Sequence, residues 1–387
     1  MTTKNVICII SDYPLEQRPH LKRMAIYLNH IGWGVNVISL GGNTSISEPH
    51  ESYSDSDSIN ISIVKKSKLR LFKLNIILDL ISLFRRVIQY QNSENCIYIS
   101  THPYTQLVCH LAKVNRRGSL VYYSAELWDT KRYILQKLLE KFSSYSIDRW
   151  IVSNDERKKI IIEQFSKARC IHVVPNSCFD YYSYAQLKSG QIEHINQKQI
   201  TYIYQGTCDI YRRKLKEIIY GFSRVGSDVR LLLALGGAAK EQVTLELKKY
   251  MESLDYSKNI KFLDFVQYPE HFIVAKKADV GIMFYDIDAS LNYRYCAPNK
   301  LYEYAMLGLP ILSSQQDHLS VEIEGNNFGK CIDPKDPDQV VTGIKYFMDS
   351  HRRASMSKNA RLWFLAGQSY DRHGGLLSEW LMDYKDD

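Results

Sequence analysis

Short apolar runs alternate with stretches of helical periodicity along this chain, and they do so in two successive series. The runs Val6–Ser11, Val35–Leu40, Ile59–Val64, Cys96–Ser100, Leu120–Tyr123, Arg149–Ser153 and Ile171–Val174 are the length of buried strands. Between them Leu21–Ile31, Gln106–Val114 and Glu156–Phe165 repeat apolar residues at helical spacing. A second series follows, with strands expected at Ile200–Tyr204, Val229–Leu235, Ile260–Leu263, Val280–Phe284 and Ile311–Ser313. Its helices are expected at Arg213–Arg224, Lys240–Leu254, Pro269–Lys277 and near Pro337–Ser350. Strand, helix, strand in repetition makes parallel sheets with helices on both faces. The expected fold is therefore α/β, with two doubly wound, Rossmann-like domains facing a central cleft. Ligands in such sheets bind beyond the carboxyl ends of the strands.

A chain of 387 residues exceeds one ordinary core, which agrees with two domains. The polar, weakly periodic stretch 181–199 reads as the linker. Domains are thus expected at 1–180 and 200–362, with a final helix over 363–382 crossing back to the first. The closing Asp383-Tyr384-Lys385-Asp386-Asp387 resembles the start of an engineered tag and is left out of fold reasoning. Hydrophobic content of 45% and charged content of 24% are those of a soluble globular protein. The net charge of +8 suits a phosphate-bearing ligand or an anionic membrane. No Lys/Arg block with interleaved aromatics supports nucleic acid as a partner. The eight cysteines contain no C-x-x-C pair and there is no signal peptide at Met1–Ile10, so the reducing cytosol is the expected compartment.

The run Cys296-Ala297-Pro298-Asn299-Lys300-Leu301-Tyr302-Glu303 reads as a tight loop and a helix start, closed by Gly308 and Pro310. Asn299 is the expected N-cap, with Glu303 in the first turn. The unpaired N–H groups of such a start bind anions. A carboxylate there would repel the anion but accept two hydroxyls of a sugar beside it. Phosphate with a ribose diol means a nucleotide.

Several pieces, in order, now resemble one family. Tyr204-Gln205-Gly206 followed by Arg213, Leu235-Gly236-Gly237, and Ile260-Lys261-Phe262-Leu263-Asp264-Phe265-Val266 match its donor-domain strands and loops. Ala278-Asp279-Val280-Gly281-Ile282 and the Pro298–Pro310 run, with its P-x-K-l-x-E-Y form, match the rest. In the first half Val121–Trp128 and Val173-Val174-Pro175-Asn176 add two more. Together they resemble the retaining GT-B-fold glycosyltransferases of family 4 (glycosyl transferases group 1), which use nucleotide-diphosphate sugars. Two positions depart from the family: Tyr295 stands where a second Glu is usual, and Ala125 where a His often precedes Glu126.

The resemblance implies a retaining transfer of a sugar from a UDP- or GDP-type donor to an acceptor hydroxyl, with no further cofactor. Glu303 would hold the ribose, and the amides of Asn299 and Lys300 the diphosphate. Arg213, or Arg212 beside it, would neutralise the leaving group. Pro298, Leu301, Gly206, Phe265 and Val266 would line the nucleotide. Glu126 or Asp129 would orient the acceptor, and His102 would reach the sugar; Arg18 and His20 follow the first strand. Asp286-Ile287-Asp288 has the form of a metal-binding triplet, but no metal is expected, since GT-B enzymes generally need none. The acceptor would be a saccharide or lipid-linked saccharide, as in bacterial surface glycan assembly, with the protein peripheral on the inner face of the cytoplasmic membrane. Residues 65–90 are basic and apolar, and read either as a helix on an anionic membrane or as one of the domain's own helices. A sugar-nucleotide epimerase and a non-catalytic nucleotide-binding partner of the same fold are the alternatives.

Overall fold

The computed structural model describes residues 5–42, 59–67, 72–90, 96–114, 118–128, 133–189, 199–254 and 257–383. The chain divides into two compact units, Met1–Asn176 with Tyr370–Asp387, and Ser177–Ser369.

The first unit holds β1 (Val6–Ser11), β2 (Gly34–Leu40), β3 (Asn60–Val64), β4 (Cys96–Ser100), β5 (Gly118–Ser124), β6 (Arg149–Val152) and β7 (Ile171–Val173). They form one parallel sheet in the order β3-β2-β1-β4-β5-β6-β7. β1 is buried from Ile7 to Ser11, because a parallel strand with helices on both faces needs apolar side chains on both. The helix Phe72–Tyr90 packs Leu83 and Val87 into the core with Cys8, Ile10, Tyr98 and Val108. Burying each such side chain is worth roughly 1.5–3 kcal/mol. This part of 65–90 is therefore one of the domain's own helices; Lys68 and Arg70 lie outside the described residues. The helices Phe72–Tyr90, Pro103–Ala112 and Ile134–Ser143 lie side by side. Ile134–Ser143 is a helix beyond the expected ones, with Ile134, Leu138 and Phe142 at helical spacing.

The second unit holds β8 (Ile200–Thr207), β9 (Val229–Gly236), β10 (Ile260–Leu263), β11 (Val280–Met283), β12 (Ile311–Ser314) and β13 (Gly329–Ile332). Their order is β10-β9-β8-β11-β12-β13, again all parallel. Strand order reverses between β1 and β4 in one sheet and between β8 and β11 in the other, the two places where such sheets open a crevice. β13 escapes sequence reading because Gly329 and Lys330 interrupt its apolar run.

Boundaries differ from the expected ones in three places. The second unit begins at Ser177 rather than 200. Tyr182–Ser189, read as linker, is a helix, and Asp180, expected to end the first domain, pairs with Arg361 of the second unit at 2.6 Å; residues 190–198 lie outside the described ones. The final helix runs Tyr370–Met382, whereas Trp363 belongs to the preceding helix Ser350–Leu365. That last helix is held within the first unit. Trp33 Nε1 donates to Ser378 Oγ at 3.0 Å, and Arg149 Nη1 donates to the Trp380 carbonyl at 2.7 Å.

Candidate functional site

In the second unit, the ends of β8 and β11 meet the helix Asn299–Met306. Tyr304 fixes that meeting. The Gln205 N–H of β8 donates to Tyr304 Oη at 3.3 Å, and Tyr304 Oη donates to the Ile203 carbonyl at 3.4 Å. The ring lies on Gly281 of β11, where an added Cβ would come within 2.3 Å of it. The helix closes in a Schellman turn: Gly308 has φ +68, Leu309 N–H donates to the Tyr304 carbonyl and Gly308 N–H to that of Ala305.

The helix start differs by one residue from expectation. Pro298 occupies the cap position and Asn299 is the first helical residue, with no side-chain cap bond. Glu303 therefore sits one residue further into the helix than the sequence suggests. The amides of Asn299 and Lys300 precede the first helical bond, from Leu301 N–H to the Pro298 carbonyl at 3.2 Å. The Leu301 side chain has no exposed surface; it packs in the core and cannot line a ligand as expected.

Two cations converge over a floor of tyrosines. Lys300 Nζ lies 4.7 Å from the centre of the Tyr204 ring and 5.9 Å from that of Tyr285. The Arg213 guanidinium lies 4.3 Å from the Tyr285 ring and 5.3 Å from Tyr293. Burial, then the Arg213 charge, pushes the Lys300 ammonium down to about 7. Arg213 Nε and Nη1 are buried with no hydrogen-bond partner among the described residues, an arrangement that costs free energy until an acceptor arrives. Arg212 is different: it salt-bridges Asp209 at 3.5 Å. The structure thus separates two arginines that sequence could not rank.

Around this pair stand the other residues. Gly206 has φ +147, and a Cβ there would meet Lys300 Nζ at 2.7 Å. Glu303 Oε2 is 3.7 Å from His271 Nε2. Gln205 Nε2 holds the His271 carbonyl at 2.9 Å, while His271 Nδ1 is buried and unpartnered. Across the sheet, Thr207 of β8 registers with Gly236 of β9. The Phe265 ring covers Gly236, where a Cβ would fall 2.5 Å from it, yet the ring stays about half exposed at 46%. Val266 beside it is partly buried. Tyr285 and His271 lie in no motif, so only their placement reveals them, and the part Tyr204 and Tyr304 play as a floor is likewise seen only in the fold.

The Asp286/Asp288 pair is occupied by side chains. Lys214 Nζ contacts Asp286 at 3.0 Å, and Lys335 and Arg294 contact Asp288 at 2.5 and 3.3 Å. These cations hold both carboxyls below their ordinary range, with hydrogen bonds from Lys214 and Lys335 leading. Among the described residues no group of His, Cys, Asp and Glu could hold a metal.

In the first unit, the ends of β1, β4 and β5 bring together Asp12, His102 and Glu126. Arg18 bridges the two carboxylates, 3.3 Å from Asp12 and 3.5 Å from Glu126. Asp12 was not legible as a site residue, since nothing marks one Asp after a strand. Its signal is burial beside an arginine. His102 caps the helix Pro103–Ala112: its Nδ1 accepts the Tyr104 N–H at 3.2 Å. That bond orients the ring and leaves Nε2 for a substrate. Burial holds its pKa below the usual histidine range, against the pull of Asp12. His20 does not join the cluster. It is buried against Tyr123, and desolvation lowers it to about 3. Asp129 lies outside the described residues.

Residues 189–363 match the family model of glycosyl transferases group 1. That match lies within the second unit. No curated protein matches the chain by sequence. Solved structures match it in fold along nearly its whole length. Anabaena HepE in complex with UDP is 12% identical over 99% of this chain and 100% of that one, with a TM-score of 0.76. A sucrose-phosphate synthase from Thermosynechococcus elongatus is 13% identical over 97% and 98%, with a TM-score of 0.73. A putative UDP-N-acetylglucosamine 2-epimerase from Listeria monocytogenes is 12% identical over 100% and 99%, at 0.61. At these identities the likeness shows the fold, which is GT-B.

Proposed function

We propose that the chain moves a sugar from a nucleotide-diphosphate sugar to an acceptor hydroxyl with retention of configuration. One observation carries this reading: the Arg213 guanidinium, with two buried nitrogens unpartnered, beside Lys300 at the β8/β11 switch point. Two adjacent cations with unused donors fit a diphosphate. They would take up charge as the bond from the anomeric carbon to the diphosphate oxygen breaks, and fixed donors do this best. Glu303 would accept the ribose hydroxyls, with His271 steadying it, and Phe265 would stack on the base.

The acceptor hydroxyl would bind at Asp12, Arg18 and Glu126 and attack from the side the diphosphate leaves. A saccharide or lipid-linked saccharide acceptor, and a role in surface glycan assembly at the inner face of the cytoplasmic membrane, complete the proposal. A UDP-type donor is supported by the HepE neighbour, solved with UDP.

A thermal-shift screen against uridine, guanosine, adenosine and cytidine diphosphate sugars tests the donor. One series should raise the melting temperature progressively with the logarithm of ligand concentration, and no shift with any would refute the reading. Incubation with the stabilising donor alone separates transfer from epimerisation: an isomerised nucleotide sugar would favour the epimerase.

A further inference from the structure

The helix Ile134–Ser143 is inside out. Its sheet-facing side is polar: Glu140 and Ser143 are buried, and the Glu140 carboxylate accepts from Tyr122 Oη at 3.2 Å and Lys137 Nζ at 3.4 Å. Gln106 Nε2 donates to the Ser143 carbonyl at 3.2 Å. Its outward side carries Ile134, Leu135, Leu138 and Phe142, and Tyr145 follows one turn on; all five are more than half exposed. A surface helix normally hides its apolar stripe and wets its polar one. Here the stripe at i, i+4 and i+8 is turned away from the core, so folding of this unit does not account for it.

The stripe continues onto the neighbouring helices. The Phe142 ring meets His110 edge-on at 5.1 Å, Leu111 beside it is more than half exposed, and Ile77, Ile81 and Ile88 are exposed on Phe72–Tyr90. Among the described residues, exposed charge on these helices is of one sign. Arg85, Arg86, Lys113 and Lys141 are exposed. Of the two acids in the three helices, Glu140 is buried and Asp79 accepts the Ser67 N–H at 2.7 Å. At the edge, Lys167 Nζ lies 4.9 Å from the Tyr145 ring.

We infer that this outward face, centred on Leu138 and Phe142, docks on an anionic phospholipid surface. Apolar side chains would enter the acyl boundary while the surrounding cations meet phosphate headgroups, the combination that holds a helix in the plane of a membrane. A protein partner would have to match a face whose exposed charges, among the described residues of these helices, are positive; an anionic bilayer does so without further complementarity. Among the described residues no helix is long and apolar enough to cross a membrane, so the contact is one of lying on. It is carried by Ile134–Ser143 more than by the 65–90 segment, whose best apolar side chains are spent on the core. The inference does not rest on the donor reading.

The test is cosedimentation of the full chain with vesicles of equal parts phosphatidylcholine and phosphatidylglycerol, against phosphatidylcholine alone. Binding should require the anionic lipid and weaken as salt rises. Leu138→Gln with Phe142→Gln should weaken it on the order of tenfold or more, and Lys113→Gln with Lys141→Gln should weaken it and flatten its salt dependence. Both variants alter exposed side chains and should keep the wild-type melting temperature and its shift with nucleotide, which separates this outcome from failure of the donor site. Unchanged binding in the apolar double variant, or equal binding to neutral vesicles, would overturn the inference. So would a wild-type dimer that the same variant renders monomeric without any vesicle binding.

Discussion

Lys300 Nζ occupies the space that a Cβ on Gly206 would fill, 2.7 Å from where that carbon would stand. The glycine at the end of β8 and the lysine at the helix start are therefore one device. Gly206→Ala should displace the ammonium and strain a backbone at φ +147, a cost of roughly 1–3 kcal/mol. Nucleotide-diphosphate affinity should fall on the order of tenfold with circular dichroism unchanged. Full affinity by calorimetry would dissociate Gly206 from the site.

The two adjacent arginines should separate in kinetics. Arg213→Ala removes unused donors aimed at the leaving group and should lower kcat by about 10²–10³, with a smaller effect on KM. Arg212→Ala removes a partner of Asp209 and should cost little. Steady-state kinetics of both decide it, and the opposite ranking would move the catalytic role to Arg212.

Lys300 predicts a pH dependence of binding. Its ammonium is pushed down to about 7 in the free protein, and a bound diphosphate would raise that value by favouring the charged form. Binding above pH 7 should therefore take up a proton, and affinity should fall as pH rises through that region. Calorimetry in buffers of different ionisation enthalpy reads the proton directly. Lys300→Met should abolish the uptake; uptake that survives it would point to another group.

Glu303 is assigned to the ribose diol, so its effect should depend on that diol. Glu303→Ala should weaken nucleotide-diphosphate binding by roughly 1.5–3 kcal/mol, the range for bonds to charged groups. Against a 2′,3′-dideoxy analogue the variant and wild type should bind alike. His271→Ala should give a smaller loss of the same kind, since His271 stands 3.7 Å behind the carboxylate. A loss equally large with the dideoxy ligand would reassign Glu303.

Glu140 makes stability depend on pH. Burial raises its carboxyl to about 7, against the opposing charge of Lys137. A carboxyl raised on folding favours the folded state when protonated, so its contribution is present in full below its unfolded pKa of 4.5 and is lost as pH rises through about 7. The difference is on the order of 3 kcal/mol. Glu140→Gln should flatten the change in Tm between pH 5 and pH 8, a window of about three units spanning that titration. An unchanged slope would show that another group dominates.

Much of this molecule is legible from pattern alone. Twelve of the thirteen strands among the described residues announce themselves as short apolar runs, because a parallel strand covered on both faces has almost no polar positions. The Pro298–Pro310 helix shows through its punctuation, and Glu303, Lys300 and Arg213 through spacing within motifs. What pattern misses has a common cause. The helix Ile134–Ser143 has its apolar residues at helical spacing, but which side it buries is decided by Glu140 meeting Tyr122. For His102 only the fold shows that Nδ1 is spent on a backbone N–H while Nε2 is left over, and Leu301 looks like a ligand contact until it is seen in the core.

Sequence by itself determined the α/β alternation, the two series of strands and the residue types of an anion-binding helix start, since these follow from local propensity and one-dimensional periodicity. Tertiary structure decided which arginine is left without an acceptor, which tyrosines floor the cations, and which glycine makes room for Lys300. Those depend on pairing between strands far apart in the chain, and burial there sets the charge of Lys300 and the cost of leaving Arg213 unpaired.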